Sequence, residues 1–293
     1  MRFTEIGQQL RAYRLESGLR AEEIAARLGV SRAALYRYEK GEVIKLDTIK
    51  RLAELLKISP LSLLGIGVEY YNRPVGYLER IRQVEETADQ VLMVSGPLCY
   101  LTTTDAYDQA MAAVFEEAAE TAGSDRNAAR VAAEQVLGIL AARKRMYGMR
   151  RPGIIAMVPV GRLRMLLELG IAPSLPVSER TRRMCREVAA GEVAQIATLM
   201  ETEPMGLQFG LVQAADLNGG FEILRARDRA TLAMNPFAPD ASPFGAPGVA
   251  MITAADEAIA AHQRVAETQW REATKGATAA AEVRRLIEAA KLR

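Results

Sequence analysis

Between Gly18 and Gly41 the chain reads Gly-Leu-Arg-Ala-Glu-Glu-Ile-Ala-Ala-Arg-Leu-Gly-Val-Ser-Arg-Ala-Ala-Leu-Tyr-Arg-Tyr-Glu-Lys-Gly, and no other stretch limits the fold so tightly. Ile24, Ala25 and Leu28 form the apolar face of a short helix that starts at Ala21. Gly29 supplies the residue past a helix end that needs positive φ, Val30 plugs the corner, and Ser31 is a helix N-cap. A second helix, residues 32–40, turns Leu35 and Tyr38 inward and leaves Arg32, Ala33, Tyr36 and Arg37 on the opposite side.

The flanks complete a small bundle. Ile6, Leu10, Tyr13 and Leu15 fall at helical spacing before the Ser17-Gly18 stop. After Gly41, Ile49, Leu52, Leu55 and Leu56 give an amphipathic helix over 47–56, and Ser59-Pro60 opens a short turn through Leu64. Two short helices around a glycine turn place one helix in a DNA groove, where arginine takes guanine bidentately and alanine or a tyrosine ring packs on a thymine methyl. Arg32, Ala33, Tyr36 and Arg37 are therefore the candidates to meet base edges.

With these residues in place, residues 1–65 resemble the XRE family of phage-repressor-like helix-turn-helix regulators. The motif is Gly-Leu-x-x-Glu-Glu-Ile-Ala-x-x-Leu-Gly-Val-Ser-x-x-x-Leu-x-x-x-Glu-x-Gly, without a gap from Gly18 to Gly41. The resemblance implies a double-stranded DNA operator as partner, a structural pair between Arg14 and Glu39 that locks the first helix to the recognition helix, and Ser31, Lys40 and Lys45 among the DNA-contacting residues. Where many relatives carry a phosphate-binding glutamine at the start of the second helix this chain has Ala21, so Arg20 next to it takes the phosphate contact.

Charge is distributed accordingly. Residues 1–64 hold 12 Lys+Arg against 8 Asp+Glu, and the other 229 residues hold 26 against 28, so a net charge of +2 hides a basic N-terminal end. A chain of 293 residues, 49% hydrophobic, exceeds what one core normally serves. Cys99 and Cys185 have neither CxxC nor metal-ligand spacing and read as small core residues of a reducing compartment. The sequence shows no secretory signal and no apolar run near the ~20 residues that span a bilayer, so a cytoplasmic protein without membrane contact is expected.

Three domains of sequence follow: the helix-turn-helix at 1–65, a linker and connector helix at 66–90, and a larger unit at 91–293. Gly65, Gly67 and Pro74 make the linker a hinge by composition. The amphipathic helix after it either pairs with its twin in a dimer or packs on its own domain. Beyond it, strands at 91–95, 154–160, 205–213, 221–225, 230–235 and 248–253 alternate with helices at 105–121, 127–147, 161–169, 178–201, 254–272 and 278–292, with Asn218-Gly219-Gly220 as a turn. The expected fold class is an all-α N-terminal helix-turn-helix bundle plus a C-terminal α/β sandwich with a mixed sheet.

Phe221-Glu-Ile-Leu, Thr231-Leu-Ala-Met-Asn-Pro-Phe and Gly248-Val-Ala-Met-Ile-Thr, followed by a helix with His262 and Trp270, are loosely similar to phospholipase D-like sensor domains. Catalysis of that type needs two H-x-K-x-x-x-x-D motifs, whereas His262 is the single histidine and Gln269 stands where its aspartate would be. No Gly-x-Ser-x-Gly elbow and no histidine-based metal site occur, so neither an enzyme nor a metal or other cofactor is expected. Ligands of α/β sheets sit outside the carboxyl ends of strands. That rule brings forward Ser95, Gly96, Thr102, Thr103 and Thr104, with Arg150 and Arg151 as an anion-binding alternative. The expected protein is a homodimeric transcriptional repressor controlled by a small-molecule effector. An antitoxin that autoregulates its operon, or a hydrolase targeted to DNA, are the rival readings.

Overall fold

The computed structural model describes residues 3–94, 96, 98–213, 220–237 and 248–291. Five helices open the chain: α1 (Phe3–Ser17), α2 (Ala21–Leu28), α3 (Arg32–Glu39), α4 (Leu46–Leu56) and the single turn α5 (Pro60–Leu63). They form because one face of each is apolar. Leu10, Ile24, Leu35, Leu52 and Leu63 are all completely buried against one another, and each such side chain contributes about 1.5–3 kcal/mol relative to exposure.

A strand, β1 (Val68–Tyr71), and a helix, α6 (Pro74–Glu85), come next. Pro74 begins α6 where its missing N–H costs nothing. The larger unit continues as β2 (Gln90–Val94), α7 (Asp105–Glu120), α8 (Arg126–Arg150), β3 (Gly153–Pro159), α9 (Val160–Leu169), α10 (Glu179–Thr202), β4 (Leu207–Val212), β5 (Phe221–Ala226), β6 (Arg229–Met234), β7 (Ala250–Thr253), α11 (Asp256–Glu272) and α12 (Gly276–Lys291). Of the turn expected at 218–220, only Gly220 lies within the described residues.

Among the described residues, one mixed sheet of seven strands runs in the order β1-β7-β6-β5-β2-β3-β4. Strands β2, β3 and β4 are parallel, joined by helical crossovers, and the remaining pairings are antiparallel. Alternation along each strand divides the interior. Val91, Met93, Ile154, Ala156 and Val158 enter the main core beneath α6 to α10, while Val94, Met157, Ile223 and Leu232 face Ile259 and Ala266 of α11. The expected architecture of an α bundle followed by an α/β sandwich with a mixed sheet is the one found.

The segment read as a hinge differs from that reading. Gly65 and Gly67 do take positive φ (+70° and +89°), but the four residues after them add β1 to the sheet edge beside β7, with Val68 opposite Thr253 and Tyr71 opposite Ala250. The Tyr71 ring stacks on Tyr13 of α1, centroids 5.2 Å apart and planes at 13°. Helix α6 packs against both α1 and α8. Gly76 makes the first contact possible, because a Cβ there would stand 2.6 Å from a carboxylate oxygen of Glu16 and 2.8 Å from its Cβ.

A buried polar knot fixes the same junction. Arg80 of α6 donates to both oxygens of Glu69 on β1 (2.8 and 3.0 Å), and Glu69 also accepts from Gln9 of α1 (2.6 Å) and the Tyr71 hydroxyl (2.8 Å). Nearby, Arg11 of α1 donates to Glu79 of α6 at 2.7 Å. A buried carboxylate is tolerable only with its lone pairs occupied, and here three elements supply the partners. Apolar contacts therefore run without interruption from the N-terminal bundle into the sheet.

Candidate nucleic-acid interface and the cavity behind it

Local chemistry builds the helix-turn-helix. Gly29 closes α2 in the left-handed region at φ +72°, and the Val30 N–H returns to the Ala25 carbonyl at 3.0 Å. Ser31 caps α3, its Oγ accepting from the Ala34 N–H at 3.1 Å. Arg14 of α1 holds the far end of α3, with Nε 2.5 Å and Nη2 3.1 Å from the two oxygens of the nearly buried Glu39. The structure thus brings together the pair that the sequence motif implied.

On the outer side of α3, Arg32, Ala33 and Arg37 are exposed and Tyr36 is half-buried. Arg32 pairs with Glu22 of α2 at 2.7 Å and its guanidinium lies 5.4 Å from the centre of the Tyr36 ring. Arg37 pairs with Glu42 at 2.6 Å. All four charged side chains of these two pairs are about half exposed, between 47% and 60%. Lys40, at the carboxyl end of α3, and Lys45, before α4, are exposed as well. Arg20 begins α2, its backbone N–H donating to the Glu23 carboxylate at 2.8 Å, and its side chain is exposed.

The effector residues read from sequence are dispersed. Ser95 lies outside the described residues. Gly96 lines a cavity, whereas the three threonines spend their hydroxyls locally: Thr102 donates to the Cys99 carbonyl (3.0 Å), Thr103 to the Tyr100 carbonyl (2.8 Å), and Thr104 to the buried Glu192 carboxylate (2.5 Å). Arg150 stands 3.6 Å from Asp89 on the surface, and Arg151 ends α8 in the left-handed region.

The cavity that Gly96 borders has a volume of about 300 Å³ and lies at the carboxyl end of β2, roofed by α6, α7 and α8. Tyr77, Tyr100, Met93, Met111, Phe115 and Phe237 give it aromatic and apolar walls. Four charged side chains also line it: Glu85 of α6, Arg143 of α8, Arg162 of α9 and Glu222 of β5. Arg143 donates to both oxygens of Glu85 at 2.8 and 2.7 Å and lies over the Tyr100 ring. Burial pushes the Glu222 carboxyl above the usual carboxylate range; Arg143 pulls it back in part and Glu85 adds to the rise. Sequence reading passed over all four. The available signal was Glu222, an acid in the apolar strand Phe-Glu-Ile-Leu.

His262 and the cysteines have structural surroundings. His262 places Nδ1 2.8 Å from the Ala258 carbonyl and sets its ring edge-on to Phe221, under α11. Cys185 is buried in α10, and burial pushes the Cys99 thiol up to about 12. Among the described residues no cluster of His, Cys, Asp or Glu is arranged to hold a metal ion, and no helix is long and apolar enough to cross a membrane.

Comparison with known proteins bears on the N-terminal end. A family model described as a helix-turn-helix domain matches residues 5–63, which coincide with α1 to α5. A search of the curated proteins finds no match. Among solved structures the chain is similar to one described as "Structure of TrmBL2, an archaeal chromatin protein, shows a novel mode of DNA binding", with 10% identity and a TM-score of 0.33 over 78% of this chain. The chain spans 62% of that protein's length.

Proposed function

We propose, from a chain whose residues 5–63 are a helix-turn-helix domain, that this protein is a sequence-specific, DNA-binding transcriptional regulator of XRE type. It acts as a repressor, blocking promoter access, and it works in the cytoplasm without catalysis. The observation that carries the reading is the outer face of α3, where Arg32, Ala33 and Arg37 stand exposed on a helix capped by Ser31 and braced by Arg14 and Glu39. Such a face enters the major groove with arginines at base edges, while Arg20, Lys40 and Lys45 meet phosphates around it. One recognition helix reads one half-site, so two copies on a near-palindromic operator with half-sites ~34 Å apart complete the reading.

Effector control is assigned to the cavity rather than to the threonines after β2, whose hydroxyls are already engaged. Helix α6 supports this placement. Tyr77 and Glu85 on it line the cavity, and Glu79 and Gly76 on it receive α1 of the helix-turn-helix. A ligand that favours one position of α6 thereby biases the DNA-binding end, provided it binds the two arrangements with different affinity. The loose likeness to a phospholipase D-like sensor agrees with a domain that binds rather than cleaves.

Selection of binding sites from random duplex DNA by the full chain, followed by titration of the selected site, tests the proposal. Wild-type protein should enrich a near-palindrome and bind it as a dimer by light scattering. Arg32→Ala and Arg37→Ala should relax the preference at particular base pairs. Enrichment of no sequence, or a preference unchanged in both variants, overturns it.

A further inference from the structure

The cavity carries an inference about its ligand, one that rests on the reading of that cavity as the effector site. Its four charged groups are not equivalent. Glu85 and Arg143 satisfy each other through two parallel hydrogen bonds, as a guanidinium and a carboxylate do in a closed pair. Glu222 and Arg162 remain. Glu222 is half-buried and no hydrogen bond to its carboxylate is seen among the described residues, while Arg143 moderates the rise that burial gives its carboxyl. The Nε of Arg162 is buried and likewise has no partner among the described residues. Although opposite in charge and both lining the cavity, the two form no ion pair with each other among the described residues. One chamber, walled by Tyr77, Tyr100 and Phe237, is thus lined by both a carboxylate and a guanidinium Nε for which no hydrogen-bond partner is seen among the described residues.

Leaving a buried polar group unpaired costs free energy that a ligand recovers by pairing it. A neutral apolar ligand would fill the chamber and leave both groups unmet. A simple cation would answer Glu222 alone, and a simple anion Arg162 alone. We propose that the cavity takes a small zwitterion with an apolar body, of the α-amino acid type. Its ammonium donates to Glu222, its carboxylate accepts from Arg162, and its side chain lies against the aromatic wall. A chamber of about 300 Å³ stands at the small end of ligand pockets, which suits a molecule of that size.

The test uses the full chain and three probes of one body: L-phenylalanine, which carries both charges, phenethylamine, which carries the cation, and 3-phenylpropionate, which carries the anion. L-leucine and L-tryptophan extend the zwitterion arm to a smaller and a larger side chain. Calorimetric titration should show at least one zwitterion binding, and each singly charged analogue of a binding amino acid about tenfold or more weaker, as loss of a charge-assisted hydrogen bond requires. Glu222→Gln should weaken the amino acid while leaving 3-phenylpropionate unchanged, and Arg162→Gln should weaken the amino acid while leaving phenethylamine unchanged. Because Glu222→Gln removes a carboxyl whose ionisation burial disfavours, its melting temperature should equal or exceed that of the wild type, which separates lost binding from lost folding. Analogues that bind as tightly as the zwitterion, or failure of all three amino acids at millimolar concentration, overturn the proposal.

Ala233→Leu separates that failure from failure of the effector reading, since Ala233 is fully buried on β6 and lines the chamber. If neutral or singly charged metabolites raise the melting temperature of the wild type but not of Ala233→Leu, the zwitterion assignment falls and the effector site stands. If no compound of any class distinguishes the two proteins, both fall.

Discussion

Arginine–glutamate pairs occur at both ends of this molecule, and the two sets serve opposite purposes. On α3, Arg32 and Arg37 pair with Glu22 and Glu42 in water, with every side chain about half exposed. Behind the helix-turn-helix, Arg80–Glu69 and Arg143–Glu85 have both partners no more than 8% exposed. An exposed pair adds little net stability and is screened by salt. Its arginine can therefore leave a carboxylate for a phosphate or a guanine at small cost. A buried pair has already lost its hydration, so removing one partner strands the other. Distances of 2.6 to 2.8 Å are common to both sets; burial alone separates an arginine that is free to leave its partner from one that holds the frame.

The largest effect expected from that contrast is on folding. Arg143→Ala and Arg80→Ala should each cost about 3–5 kcal/mol in urea unfolding of the full chain; a loss as small as that of a surface pair would erase the distinction. Next comes DNA. Arg32→Ala and Arg37→Ala should weaken the selected operator by about tenfold to a hundredfold, with the unfolding midpoint unmoved. A large stability change in either would place that arginine with the buried class. Ser31→Ala should cost about 1 kcal/mol through the lost cap, seen in unfolding and, because it loosens the start of α3, in operator binding too. Smallest of all, Glu22→Gln and Glu42→Gln should leave stability within about 0.5 kcal/mol and tighten DNA binding at low salt, with the gain disappearing as salt rises. Weaker DNA binding in these variants would mean that the acids position the arginines rather than merely occupy them.

The same contrast explains what could be read from the sequence. Exposed residues advertise themselves by position on a periodic helix. Leu35 faces in, so Arg32 and Arg37 face out, and the Gly29 turn with the Ser31 cap fixes where the helix begins. The six later strands were legible as apolar runs. Strand β1 was hidden because it has only four residues, Val-Glu-Tyr-Tyr, and follows two glycines that dominate the local reading. Its pairing with β7 depends on residues about 180 positions away in the chain.

Helix α6 is harder to read for a related reason. Glu79, Arg80, Gln83 and Glu85 are polar by type, yet all four are buried because α1 and α8 pack against α6. Of the residues singled out by the rule that ligands gather beyond strand ends, Gly96 borders the cavity at the end of β2. What the rule cannot give is hydroxyl direction. Cys99 and Tyr100 offer carbonyls three residues before Thr102 and Thr103, and those local bonds take the side chains away from the chamber.

The stacking of Tyr13 on Tyr71, together with the Gln9, Glu69 and Arg80 knot, sets a rule for anyone re-engineering the protein. A chimaera spliced at Gly65 would carry off a helix-turn-helix whose first helix has lost the surface it packs on, and would leave Tyr71 and Glu69 behind without their partners on α1. On the proposed reading, the exchangeable cassette would be the outer face of one eight-residue helix, grafted in place with α1 retained, because α1 packs against α6 of the larger unit.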